Sequence, residues 1–68
     1  MKLHYYPDTD SLYIELKGGE GVDVREISDG FVADLDADGH VVGLDIDHAS
    51  KRLDLEKIES VGLPLQVA

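Results

Sequence analysis

A chain of 68 residues holds one small domain, whose single core is marginal without a metal, disulfides or oligomerisation. It contains no cysteine, which excludes disulfides and thiolate zinc sites and is compatible with a reducing cytoplasm. Six basic residues stand against 15 acidic ones, a formal charge of -9, so the field repels nucleic acid phosphates and anionic membranes and attracts cations or a basic protein.

The apolar fraction of 43% is that of a globular chain, and no apolar run has the length of a membrane span. Met1-Lys2-Leu3-His4-Tyr5-Tyr6 reads as a half-exposed strand, with Met1, Leu3 and Tyr5 on one face. Pro7-Asp8-Thr9-Asp10 is a turn, because Pro presets φ and the acids fold back on the backbone. Leu12, Ile14 and Leu16 then alternate with Tyr13, Glu15 and Lys17. A four-residue loop sets Tyr5 opposite Leu12 and Leu3 opposite Ile14, with His4–Tyr13 and Lys2–Glu15 pairs on the other face.

Gly18-Gly19-Glu20-Gly21 supplies the next break. Val22 and Val24 resume the apolar face, with Asp23 and Arg25 outside. Glu26 then falls inward and Ile27 outward, so either the strand leaves the sheet or a bulge restores the phase. Asp29-Gly30 and Asp38-Gly39 are favoured dipeptides for two-residue hairpin turns. Centred on Asp38-Gly39, Leu35 faces Val42, Ala33 faces Leu44 and Phe31 faces Ile46. Centred on Asp29-Gly30, Val24 faces Leu35 and Arg25 faces Asp34. A three-residue loop at the second turn would bring Val41, Gly43 and Asp45 against Phe31, Ala33 and Leu35, a poorer match.

Beyond Ile46 the period changes. Asp47 is placed to cap a short turn through His48-Ala49-Ser50-Lys51. Asp54 is placed as N-cap of a helix over 55–61, with Gly62 at its stop and Pro64 beyond. The tail Leu65-Gln66-Val67-Ala68 reads as a strand, a docking arm or a frayed end. The fold expected is α+β, mostly β: a five-stranded antiparallel meander with a short C-terminal helix.

Area carries the next inference. Two helical turns are about 10 Å long, whereas five strands spaced by about 4.8 Å are roughly 20 Å wide. The helix leaves most of an apolar face formed by Met1, Leu3, Tyr5, Leu12, Ile14, Leu16, Val22, Val24, Phe31, Ala33, Leu35, Val42, Leu44 and Ile46 uncovered. The expectation is therefore a homodimer through this face, unless the sheet curls on itself.

Asp34, Asp36, Asp38 and Gly39 spell the first half of an EF-hand calcium loop, with Asp45 at the closing position. The closing residue is shorter than the usual bidentate Glu, and the flanks alternate as strands where that loop needs helices. A structural turn is the better reading, and no metal ligand is assigned. A surface cation site among Asp34, Asp36, Asp45 and Asp47 is the weaker alternative. His4, His40 and His48 read as exposed solvated residues, only Asp47-His48 approaching a ligand or acid–base arrangement.

Enzyme chemistry has little to use. Ser11, Ser28, Ser50 and Ser60 lie in turns or near helix ends, and there is no Gly-x-Ser-x-Gly elbow. Carboxylates on a solvated face have nothing to drive their pKa values apart. The Gly18–Gly21 loop lacks the lysine and the following helix of a phosphate loop. A non-enzymatic protein is expected, with no catalytic residue and no cofactor.

Tyr6-Pro7-Asp8-Thr9-Asp10-Ser11-Leu12-Tyr13-Ile14, the run from Asp29 to Ile46, and Ala49-Ser50 together resemble the domain-of-unknown-function family numbered 2283. The resemblance implies a small prokaryotic β-rich protein with no residue roles to carry over. It also implies toxin-like neighbours, which suit an antitoxin or partner-binding role. The leading expectation is thus a cytoplasmic interaction protein that self-associates and neutralises a basic partner, such as a toxin of the ribonuclease kind, with no direct contact to nucleic acid or membrane. The alternative is a divalent-cation-binding module using the acidic outer face. A third is a hydrolase acting through Asp47 and His48, which requires a concave pocket there.

Overall fold

A computed structural model of the protein describes residues 1–64. Five strands, β1 (Lys2–Tyr6), β2 (Ser11–Glu15), β3 (Asp23–Ser28), β4 (Phe31–Leu35) and β5 (Val41–Ile46), precede one helix, α1 (Ala49–Arg52). The strands form a single antiparallel sheet in the order β1-β2-β5-β4-β3. The class is that expected, a mostly β chain with a short C-terminal helix.

The order departs from a strictly sequential meander, because β2 pairs with β5 and not with β3. This sets Leu12 opposite Ile46 and Ile14 opposite Leu44 in the middle of the sheet. Charged β3 goes to the edge, where all six of its residues are exposed. Pairing β2 with β3 would have placed Asp23, Arg25 and Glu26 at the centre and buried charge without partners. The connection 16–22 crosses the end of the sheet, held by Leu16 N–H to Val42 C=O at 3.0 Å and Val22 N–H to Leu35 C=O at 2.8 Å. Gly19 eases the close crossing, since a Cβ there would stand 3.1 Å from Val42 Cγ1.

The β1–β2 register is the expected one throughout, from Lys2↔Glu15 to Tyr6↔Ser11. Phe31↔Ile46 and Ala33↔Leu44 also stand as expected. The β4–β5 turn itself is wider than a two-residue loop. Asp36 N–H bonds His40 C=O at 2.9 Å, Gly39 N–H bonds Asp36 C=O at 3.0 Å, and Gly39 takes φ 84. Leu35 therefore faces Val41 and not Val42, and a bulge between Asp34 and Leu35 returns the strand to the apolar phase. Turn geometry wins within one residue of the loop, and hydrophobic pairing wins beyond it.

A second bulge lies between Glu26 and Ser28, where Ile27 is the extra residue. It settles the faltering alternation of β3 and corrects two pairings. Arg25 faces Ala33 and not Asp34, while Val24 faces Asp34 and not Leu35. Without the extra residue Glu26 would lie opposite Ala33. With it, Glu26 lies opposite Val32 on the polar side. Val24 is thereby lost from the apolar face, an acceptable exchange on a solvated edge.

Leu12, Ala33, Leu35, Ile46 and Ala49 are buried. The Leu12–Ile46 part of the apolar face is thus closed within one chain, Ile14 and Leu44 beside it are half-buried, and its exposed members lie at the margins: Met1, Leu3 and Tyr5 on the β1 side, and Val22 near β3. The Cα radius of gyration, 13.1 Å, exceeds the value of about 11 Å for a compact domain of this length.

The helix is displaced from its expected place. It spans Ala49–Arg52, and 55–61 is not helical. One turn survives there, with Lys57 N–H on Asp54 C=O at 3.1 Å. Two turns of helix do not offset their nucleation cost without a packed face, and Ile58 and Val61 are exposed. Nor does Asp47 cap α1: the preceding residue is His48, left-handed at φ 53, with no side-chain cap. The tail Leu65-Gln66-Val67-Ala68 lies outside the described residues.

Candidate functional site

Sheet register places directly opposed residues on one face, so the polar side can be assembled row by row. One row runs His4, Tyr13, Asp45, Val32, Glu26; the next runs Lys2, Glu15, Gly43, Asp34, Val24. These rows hold four carboxylates and a single lysine. Tyr13 organises them. Its ring crosses β5 over Gly43, and its hydroxyl donates to Asp34 Oδ2 on β4 at 2.8 Å. That bond pushes the phenol above its ordinary pKa. His4 flanks the same ring, with centroids 6.3 Å apart.

Asp45 lies in the row beside Tyr13 and is half-buried. Its carboxyl is raised above the usual range, first by burial and then by repulsion from Asp47 and Asp34. The polar face therefore brings Asp34 and Asp45 together, two of the acids singled out in the sequence.

Asp36 and Asp38 belong to a different place, the β4–β5 turn. Asp36 Oδ1 accepts the Asp38 and His40 amides, each at 2.9 Å. The His40 amide is the main reason its carboxyl lies below the ordinary range. Asp36, Asp38 and His40 each offer a ligand atom within 4.8 Å of the others. His40 Nδ1 is 3.7 Å from Asp36 Oδ2. Since β4 and β5 flank this loop, the calcium-like spelling forms a hairpin turn in which Asp36 satisfies turn amides. The four acids Asp34, Asp36, Asp38 and Asp45 thus divide between the sheet face and the turn.

The third arrangement joins the β1–β2 turn to α1. Asp10 is left-handed at φ 52, a conformation Asp tolerates. Its carbonyl accepts Ala49 N–H at 2.9 Å, Oδ1 accepts Ser50 N–H at 3.1 Å, and Oδ2 accepts the Ser50 hydroxyl at 2.7 Å. Tyr5 also donates to Asp10 Oδ1, at 2.8 Å. The Ser50 and Tyr5 hydroxyls hold the Asp10 carboxyl below the usual range. Across the sheet end, Arg52 Nη2 donates to Asp29 C=O at 2.7 Å and Asp47 N–H to Gly30 C=O at 2.8 Å. A cavity of about 450 Å³ opens beside this junction, lined by Tyr5, Ser50, Asp54, Leu55 and Glu56. Asp47 and His48 do not line it.

The family described as "Protein of unknown function (DUF2283)" matches residues 2–50, which run from β1 into α1. The chain belongs to the DUF2283 family. No curated protein and no solved structure matches it. The stretches through which the DUF2283 resemblance is legible meet in three dimensions. Asp10 from the first grips Ala49-Ser50 from the last, and Asp34, Gly43 and Asp45 from the second lie under Tyr13 of the first.

Sequence reasoning missed Tyr13, Gly43, Asp10 and Ser50 as a set. The signal for Gly43 was present, a glycine inside a strand pattern, which marks close approach by another group. Nothing local in the sequence pairs Asp10 with Ser50. Among the described residues no helix is long and apolar enough to cross a membrane.

Proposed function

We propose that this DUF2283 chain is a non-enzymatic interaction module that self-associates to shield its remaining apolar margin and presents the polar sheet face to a basic protein partner. The observation that supports this most is the face itself: Glu15, Glu26, Asp34 and Asp45 lie in two adjoining rows with only Lys2 of opposite sign. Such a surface accelerates encounter with a cationic protein and fixes its orientation. A small basic protein, whose neutralisation needs only surface occlusion, fits that chemistry, and the toxin-like neighbours that the DUF2283 resemblance implies make an antitoxin role in the cytoplasm the form of this reading.

The experiment is affinity capture from source cells with the native chain and with a Glu15→Gln/Asp34→Asn/Asp45→Asn variant. The native chain is expected to retain a basic protein that elutes as salt is raised, and the variant to lose it. Recovery of this chain alone would reject the partner. The turn trio Asp36, Asp38 and His40 supports the second reading, cation binding. Titration calorimetry with calcium and magnesium decides it, since no heat and no thermal stabilisation at about 1 mM ion removes that reading.

A further inference from the structure

We infer that the β1 edge is the surface through which two copies of this chain join, antiparallel about a two-fold axis at His4, so that the two sheets become one. The inference rests on the self-association reading and narrows it from the apolar face to one margin of that face.

The two edges of the sheet are unlike. The β3 edge carries the devices that discourage strand pairing: a bulge at Ile27 and the charges of Asp23, Arg25 and Glu26. By comparison β1 pairs with β2 in unbroken register over all five residues, without bulge, proline or acid. It ends in one lysine, Lys2. Its free side is a regular row of main-chain donors and acceptors, which another strand can complete.

Charge selects a second copy as the occupant. Two copies of a chain carrying -9 repel one another wherever acids meet. Residues 1–7 contain no Asp or Glu, so β1 is an acid-free approach. Apolar side chains are exposed there as well: Leu3 is 45% and Tyr5 is 44% exposed, while Leu12 and Ile46, in the same apolar face, are 6% and 5% exposed. The β3 margin also exposes Val24 and Ile27, but there they stand among Asp23 and Glu26, acids that two copies would bring together.

Register follows from length. His4 is the midpoint of Lys2–Tyr6, so an axis through it is the one that pairs all five residues. Leu3 then faces Tyr5 of the second copy, and Tyr5 faces its Leu3, four apolar side chains on the apolar side. Lys2 faces Tyr6 on the polar side, and His4 meets its own equivalent. A five-residue edge is a small interface, so the dimer is concentration-dependent.

The absence of cysteine makes the test direct. Opposed residues in adjacent strands have Cβ atoms about 5 Å apart, close to disulfide reach. On mild oxidation His4→Cys is expected to give a covalent dimer rapidly. Lys2→Cys, placed opposite Tyr6, and Val24→Cys, on the β3 edge, are expected to remain largely monomeric. Light scattering from about 1 µM to about 1 mM should show the native chain passing from monomer to dimer. Leu3→Lys, checked for native circular dichroism, should raise the dissociation constant about tenfold or more, and Val24→Lys should leave it unchanged.

A native chain that dimerises while Leu3→Lys has no effect and His4→Cys crosslinks no faster than Val24→Cys would overturn the β1 assignment and leave self-association standing. A monomer at every concentration would overturn both. If Leu3→Lys fails to fold, the crosslinking comparison still decides.

Discussion

Asp10 and Ser50, 40 residues apart, are joined twice through one carboxylate, which takes the Ser50 hydroxyl at 2.7 Å and its amide at 3.1 Å. Asp10 so supplies from another element the cap that His48 does not give α1. Removing it should loosen the helix and the hairpin turn together. Asp10→Ala is expected to lower the thermal midpoint by several degrees, and Asp10→Asn by less, since Asn tolerates φ 52 and keeps one acceptor. Amide exchange at Ser50–Leu53 should quicken in both, and unchanged exchange there would refute the capping role.

Acid should act on two groups in the same direction. The Asp10 and Asp36 carboxyls lie below their ordinary pKa when folded. Their contribution is present above the unfolded value and lost as pH falls through the folded ones. Stability measured by denaturant titration should accordingly decline below about pH 4, and less steeply in an Asp10→Asn/Asp36→Asn variant.

Asp45 has the opposite sign. Its carboxyl is raised by burial and by Asp47 and Asp34, so the folded state holds its proton more tightly than the unfolded chain does. Ionised Asp45 therefore costs stability, and that cost is present once pH exceeds the folded pKa. Asp45→Asn should raise the thermal midpoint at about pH 7, and the gain should fade by about pH 3, where the native carboxyl is protonated. A variant less stable than the native chain at neutral pH would contradict this.

Gly43 leaves the space that the Tyr13 ring occupies, and a Cβ there would overlap the Tyr13 hydroxyl and Cζ. Gly43→Ala should cost about 1–3 kcal/mol in chemical denaturation, the usual range for overpacking. Combined with Tyr13→Ala, the loss should be clearly less than the sum of the two, because the clash vanishes with the ring. Strict additivity would mean that ring and glycine are independent.

The core is thin enough for one truncation to matter. Leu12 and Ile46 are buried and face each other across β2 and β5. Leu12→Ala should cost about 2–5 kcal/mol. A chain of this length has only about 3–10 kcal/mol in total, so the variant should be largely unfolded at modest urea. Truncating exposed Val61 should leave the midpoint unchanged within error.

Period-two alternation and the turn dipeptides by themselves determined the strands, the β1–β2 register and the Ala33–Leu44 and Phe31–Ile46 pairs, because those follow from contacts local in the chain or from a single hairpin. Tertiary structure alone decided that β2 lies beside β5, that Ile27 bulges and so turns Arg25 toward Ala33, and that the helix forms at 49–52 under Asp10 and not at 55–61. Each of those outcomes weighs contacts distant in sequence against local preference: burial of Leu12 and Ile14 against charged β3, the phase of Glu26 against strand regularity, and a cap 40 residues away against intrinsic helix propensity. The acids Asp34, Asp36, Asp38 and Asp45 were legible as a cluster in the chain. Their separation into a sheet face under Tyr13 and a turn closed by Asp36 was not, because strand pairing and loop geometry, not spacing, set which carboxylates meet.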